Sequence, residues 1–358
     1  MPSSSDHPYE FGLDAFGEVA ADGSRNPLTS AETVRLLVEE AVLAERSGLD
    51  FYNLGEHYKA DQVDTASHVI LGAIASRTSR IRLGTSVLVL STRDPVRVFH
   101  DFSTLQAVSN GRAELVVGRA SQVESFPLFG FDLEDYDTLF AEKLDLFTKL
   151  LTEDPVTWEG TTRTKLENVS LMPRLETPLT TWLGIGGNPQ SVIRAATYGL
   201  PLMIAIIGGA HRRFLPLIDL YERALSQQGR PRLPVGVHSL GLVAKTDGEA
   251  MDRYGPRWLH VFSAMAEKRG YPAPRPGQFE SEAAEGSLFV GSPETVARKL
   301  ARVMKDLRVS RFDLKYDLLH MPVEHRADTI RLLGEEVVPR VKELLAEGSP
   351  AVEGDRAR

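Results

Sequence analysis

The sequence predicts an α/β protein built as a single (β/α)8 TIM-like barrel, and three observations carry that expectation. Eight short runs rich in β-branched and apolar residues recur along the chain, each followed by a stretch with helical apolar spacing. Such alternation implies parallel pairing, because parallel neighbours need a crossover, and eight units close a barrel in preference to an open doubly wound sheet. The third observation is size. The 358 residues are 42% hydrophobic and 25% charged, and α/β barrels with insertions fill this length as one domain. The domain is placed at 9–346, with polar, small-residue-rich ends at 1–8 and 347–358 read as loose.

Taken in order, Phe11-Gly12-Leu13-Asp14 is the first candidate strand. Thr29-Ser30-Ala31-Glu32 has the form of a capping box, Val34, Leu37, Val38, Ala41 and Val42 follow at helical spacing, and Gly48 sits where the helix should stop. Leu49 to Leu54 is the second strand, Ala66 to Arg77 a helix, and Ile81 to Leu90 the third strand. Asp94-Pro95 places a capping side chain before a proline at the first helical position, opening a helix that runs to Asn110-Gly111. Ala113 to Val117 is strand, Tyr136 to Leu151 a long helix, Thr180 to Ile185 strand, and Pro189 to Tyr198 helix. Pro201 to Ile206, Val235 to Val243 and Arg311 to Tyr316 complete the strands, with helices opening near His211, Asp247, Pro293 and Pro322. Two insertions interrupt the pattern. Residues 152–178, after strand four, read as a β-hairpin, and residues 266–290, after strand seven, with three prolines between 272 and 276, read as a mobile loop over one face.

Composition removes several function classes. With 41 Lys+Arg against 49 Asp+Glu the formal charge is −8, which disfavours nucleic acid and anionic membranes as partners. Without cysteine there are no disulfides, thiolate metal sites or Cys nucleophiles. No apolar run approaches the ~20 residues that span a bilayer, and the first residues lack a signal-peptide pattern, so a cytoplasmic protein is expected. HExxH, GxSxG and Walker A patterns are missing, and no metal constellation is visible from spacing.

In a barrel, function gathers where strands end and loops to helices begin. Gly184-Ile185-Gly186-Gly187-Asn188-Pro189-Gln190-Ser191 follows a strand and opens a helix, but Pro189 occupies the sixth position of GxGxxG and no ribose-binding acid lies about 20 residues on. The turn suits a single phosphate, with glycines for close approach, Asn188 as cap, Ser191 on the first turn and the helix dipole facing an anion; the alternative is a plain Gly-rich helix start. His57, in Glu56-His57-Tyr58 after strand two, faces the barrel mouth and either moves protons or shapes its loop. Thr85-Ser86 in strand three reads as an internally bonded packing detail. Arg119, closing strand four, is placed either for a phosphate or carboxylate or for a surface salt bridge. His238, Ser239, Lys315 and Asp317 either point inward toward chemistry or form a satisfied core network.

Together these residues resemble the bacterial luciferase-like flavin-dependent oxidoreductases over residues 11 to 340. The resemblance rests on Ile81 to Leu90, Asp94-Pro95-Val96-Arg97-Val98, Asp101-Phe102-Ser103-Thr104-Leu105, Ser109-Asn110-Gly111-Arg112 with Val117-Gly118-Arg119, and Gly199-Leu200-Pro201. Ser125 to Gly130 and Leu288 to Pro293 resemble a subgroup of that family. It implies FMN at the strand C-termini, with Gly186, Gly187, Asn188 and Ser191 around the phosphate, Arg119 as counter-charge and Thr85, Ser86 and Val87 near the ring system. Ser86-Val87 falls where the family often has a non-prolyl cis peptide, and His57 on its catalytic histidine. Gly118 replaces the luciferase reactive thiol and Gly187 its phosphate-site acid, so light emission on a long aldehyde is not implied.

The resulting expectation is a two-component monooxygenase in which a separate flavin reductase delivers reduced FMN to meet O2 and a small organic substrate in a site shielded by residues 266–290. The alternatives are an F420-dependent hydride-transfer oxidoreductase and a non-catalytic flavin-binding protein on the same fold. The resemblance also implies a homodimer through the helices near residues 66–77 and 94–109.

Overall fold

The computed structural model describes residues 9–119, 122–269 and 272–347; of the ends 1–8 and 347–358 read above as loose, Glu347 ends the last helix and the rest lies outside the described residues. The strands are β1 (Glu10–Ala15), β2 (Phe51–Leu54), β3 (Arg82–Val89), β4 (Glu114–Gly118), β5 (Val156–Trp158), β6 (Leu166–Val169), β7 (Thr180–Ile185), β8 (Leu202–Ala205), β9 (Val235–Val243), β10 (Phe289–Gly291) and β11 (Arg311–Lys315). Parallel pairing runs β1-β2-β3-β4-β7-β8-β9-β11 and returns to β1, so all eight expected strands form one closed barrel. The hairpin expected at 152–178 is present as antiparallel β5–β6.

Local chemistry explains where the intervening helices start and stop. Helix α1 (Ser30–Arg46) opens on the expected capping box, with the Glu32 amide donating to the Thr29 hydroxyl and the Thr29 amide to the Glu32 carboxylate. Helix α3 (Pro95–Val108) is capped by Asp94, which accepts from the amides of Val96 and Arg97. Helix α6 (Pro189–Tyr198) runs from the Asn188 cap to Gly199, whose φ of 66° is the left-handed conformation that ends a helix. Helices α2 (Ser67–Ala75), α4 (Ser125–Leu128), α5 (Tyr136–Thr152) and α7 (Leu215–Gln227) complete the first seven.

One expectation needs correction. Residues 266–290 are not a loop over one face. Helix α8 continues to Arg269 (Asp247–Arg269), α9 spans Gln278–Ala284, and β10 pairs in parallel with β9. The prolines at 272, 274 and 276 break the chain only between α8 and α9. On either side Tyr254, Trp258, Phe279, Ala283, Leu288 and Val290 bury themselves in a second apolar cluster, so hydrophobic burial orders a segment whose proline content suggested otherwise. Helices α10 (Pro293–Leu307), α11 (Val323–Leu332) and α12 (Val338–Ala346) close the ring, and no helix among the described residues is long and apolar enough to cross a membrane.

The apolar core lies between strands and helices, where Phe11, Leu13, Tyr52, Leu83, Leu115, Phe312, Leu314 and Tyr316 are buried. The opposite side chains fill the barrel, and many are charged. On β11 and just beyond, Arg311, Asp313, Lys315 and Asp317 alternate with Phe312, Leu314, Tyr316 and Leu318, all buried, as a period of two demands. Arg311 bonds both oxygens of Glu114 and reaches Glu10 at 3.2 Å, with its guanidinium 3.5 Å from the Phe51 ring centroid. Burial pushes the Glu114 carboxyl up, but Arg311 and Arg82 outweigh it and hold it below the usual range. Higher in the barrel, Lys315 lies 3.2 Å from Glu18 and 3.3 Å from Asp317.

Removing one partner of such a pair strands the other charge. Arg311→Met is expected to cost about 3–5 kcal/mol in urea unfolding, with partial recovery when Glu114→Gln is added. A loss below about 1 kcal/mol would place this pair with weak surface ion pairs instead.

Candidate active site

At the C-terminal ends of the strands a cavity of about 590 Å³ opens, within the range of small-molecule and cofactor sites. It gathers His57, Ser86, Val87, Arg119, Gly186, Gly187, Asn188 and Ser191 from four separate loops or strand ends. Of the residues expected at the cofactor, Thr85 alone does not line it. Its side chain is buried and its hydroxyl donates to the Val116 carbonyl at 3.4 Å, since strand alternation turns it away from the side Ser86 faces.

His57 is held from two directions. Its Nδ1 lies 2.7 Å from Asp64 Oδ2, and its backbone amide donates to Asp64 Oδ1 at 3.1 Å. Burial lifts the Asp64 carboxyl above its ordinary value even against the pull of His57. Gly55 makes room for the pair, because a Cβ there would fall 2.7 Å from His57 Cε1 and 2.8 Å from Asp64 Oδ2. Tyr58 does not stack on His57. Its hydroxyl donates to Glu56, which also accepts from the Val89 amide and Arg93, fastening the loop to β3 and the turn that leads into α3. Asp64 and Gly55 escaped the sequence reading, although a buried acid seven residues beyond a mouth histidine was there to be found.

Phe16 fills the space between two histidines, its ring centroid 4.4 Å from that of His57 and 5.7 Å from that of His238. The Asp317 carboxylate accepts from the amides of Phe16 and Glu18 and so fixes that turn. Beneath, the interior places Asp14, Asp313 and His238 together, a grouping that spacing did not reveal because its members lie on β1, β11 and β9. Burial keeps His238 neutral, its pKa pushed down to about 3, and lifts Asp313 to about 6. Ser239 faces away and bonds the carbonyls of Ile206 and Ser287.

On the opposite wall the Ser86–Val87 peptide is cis, as the resemblance implied. Val87 packs so closely that a Cβ at Gly118 or Gly184 would lie 2.6 Å from one of its methyls, which accounts for glycine at both positions. Beyond them the Gly186–Gly187 turn leads into α6. A Cβ on either glycine would meet no atom within 4 Å, so the backbone presents open space to the cavity. Asn188 spends its side chain on the Gln190 amide, and the Ser191 and Val192 amides bond the Asn188 carbonyl. The turn therefore offers an anion the glycine backbone, the Ser191 hydroxyl and the helix dipole. Arg119 lies alongside, 4.6 Å over the Tyr136 ring and paired with the exposed Asp137, its buried Nε without a partner. Among the described residues none of 266–290 lines this cavity; Gln122, Glu124, Ser125 and Tyr136 form that wall.

Residues 10–311 match the family model of luciferase-like monooxygenases. The chain belongs to that family. The monooxygenase RslO1 of Streptomyces bottropensis shares its fold with a TM-score of 0.80 and 23% identity, over 92% of this chain and 99% of that one. The oxygenating constituent of 3,6-diketocamphane monooxygenase from Pseudomonas putida, solved in complex with FMN, superimposes with a TM-score of 0.70 and 18% identity, over 93% and 99%. The F420-dependent glucose-6-phosphate dehydrogenase of Nakamurella multipartita is 25% identical over 328 residues, 87% of this chain and 94% of that protein. Of these similar proteins, one is solved with FMN and another is named as F420-dependent.

Proposed function

We propose that this luciferase-like protein is the oxygenating component of a two-component monooxygenase, taking reduced FMN from a separate flavin reductase and acting with O2 on a small organic substrate. The observation that carries this reading is one cavity holding both a one-phosphate turn, Gly186 to Ser191, and a fixed His57–Asp64 pair. The FMN complex of the diketocamphane enzyme on the same fold supports it.

The residues present fit FMN. The open backbone of Gly186 and Gly187 and the Ser191 hydroxyl would receive the phosphate, Arg119 would supply its counter-charge, and Ser86 and Val87 would support the ring system. When bound, FMN supplies the electrons that activate O2. The chain's own part is to exclude water and move protons. By accepting from Nδ1, Asp64 fixes the His57 tautomer and leaves Nε2 to take or give a proton. Phe16, Val87 and Met203 make the wall beside it apolar, which strengthens such exchanges by lowering the local dielectric. A second reading, hydride transfer with F420, is supported by the 25% identical dehydrogenase; F420 also carries a phosphate.

Fluorescence titration separates the two. FMN is expected to bind more tightly than FAD or F420, and Arg119→Ala to weaken FMN by about ten- to hundredfold through loss of a contact worth roughly 1.5–3 kcal/mol. Tighter F420 binding would move the chain to the second reading.

His57→Ala is expected to keep FMN affinity within a few fold while O2-dependent substrate oxidation falls by about two orders of magnitude or more. Parental turnover would leave His57 a loop residue, and loss of FMN would make it a cofactor ligand.

For assembly we propose a homodimer through α2 and α3, where Val69 and Val108 are 63% and 60% exposed. Sedimentation should give twice the 39.5 kDa chain mass; a monomer at micromolar concentration would refute the pairing.

A further inference from the structure

Among the described residues, most charged groups inside the barrel find a partner of opposite charge. Lys315 is committed to Glu18 and Asp317, Arg311 to Glu114 and Glu10, and His57 to Asp64. The Asn53 amide donates to Asp313 Oδ2 at 2.9 Å. What remains is a set of acceptors without a donor. Both oxygens of Asp14, Oδ1 of Asp313, Oδ1 of Asn53 and Nδ1 of His238 are buried and have no hydrogen-bond partner. Asp14, Asn53 and Asp313 are fully buried and His238 is 5% exposed. One ligating atom from each of Asp14, His238 and Asp313 lies within 4.8 Å of the other two.

We propose that Asp14, Asp313 and His238 form a binding site for one divalent first-row cation beneath the cavity floor, with the Asn53 carbonyl available as a further ligand. Charge and geometry point the same way. Arg311 and Lys315 act on these carboxylates from nearby but are bonded to other acids, so two carboxylates removed from water remain costly, and a divalent ion cancels both charges at once. One proton shared by Asp14 and His238 would satisfy that pair alone and leave the other acceptors bare. The 3.4 Å between His238 Nδ1 and Asp14 Oδ2 is long for a hydrogen bond. It is the spacing of two ligands that each sit about 2.0–2.1 Å from one ion. Oxygen donors joined by an imidazole select Zn²⁺ or Mn²⁺ over Ca²⁺ or Mg²⁺. His238 lines the cavity, which gives an ion a way in. The site does not rest on the flavin reading, since none of its ligands is asked to hold FMN.

The test is elemental analysis of the full chain produced in medium supplemented with zinc or manganese, joined to thermal unfolding before and after long dialysis against a chelator. The parent is expected to carry about one zinc or manganese per chain and to lose several degrees of Tm on chelation. Asp14→Asn and His238→Gln are expected to retain less than about a tenth of an ion, with a Tm indifferent to chelator. A parent carrying neither metal, with a Tm unmoved by chelator or added ion, would overturn the site. So would variants that keep the parent's metal content. If both variants fail to fold, the parent's metal content and chelator response still decide.

Discussion

Because the two-residue period of a strand sends alternate side chains into the barrel, Arg311, Asp313, Lys315 and Asp317 all enter an interior that must supply opposite charge from other strands. Glu114, Glu10 and Glu18 do so from β4, β1 and the turn after β1. Barrel interiors are more often packed with branched aliphatic residues. Here charged groups take much of the interior, beside apolar side chains such as Phe51 under Arg311 and the small cluster of Val116, Trp182, Met203 and Val87. Buried ion pairs add little stability over an apolar replacement, but Arg311 and Lys315 each bridge two acids, and this mutual pairing favours one arrangement.

That single arrangement carries through to the cavity. Lys315 and Arg326 hold the Asp317 carboxyl below its ordinary range against its burial, and the same carboxylate takes the amides of Phe16 and Glu18. Phe16 is thereby set between His57 and His238 rather than left to a loop. On the far wall, glycine at 118 and 184 admits the Val87 methyls, so Val87 is fixed by steric fit where Phe16 is fixed by charge. The cavity between them is therefore shaped by the barrel itself, and its more adaptable edge is the 122–136 wall, where Val123, Leu128, Phe129 and Leu133 are exposed.

Local signals in the sequence were enough for the eight strands, the capping box at Thr29, the Asp94 and Asn188 caps, and the glycine turn before α6, because each is decided within a few residues. His57 and Arg119 were legible from position at strand ends. What stayed hidden depends on contacts between distant strands. Asp14 and Asp313 are 299 positions apart in the chain, and only closure of β11 against β1 brings them near. Gly55 reads as an ordinary strand-end glycine until Asp64 folds back over it. The 266–290 segment misled for the converse reason: its prolines are a local signal, while the burial of Phe279 and Leu288 that orders it is tertiary.

If the Gly186–Ser191 turn receives a phosphate as proposed, the ion pair at Arg119 bears on how its charge is met. With the first amides of α6 spent on its own cap, the turn has fewer donors than a bare helix start, and a dianion needs a cation nearby. Arg119 is 17% exposed but its partner Asp137 is 75% exposed, so water screens that pair and it contributes little. A phosphate dianion in the cavity would offer the guanidinium twice the charge and a bidentate geometry in a drier setting. Asp137, left in solvent, loses little by the exchange. On the proposed reading, stacking on Tyr136 would hold Arg119 in place more than its exposed carboxylate partner, which would compete only weakly for it.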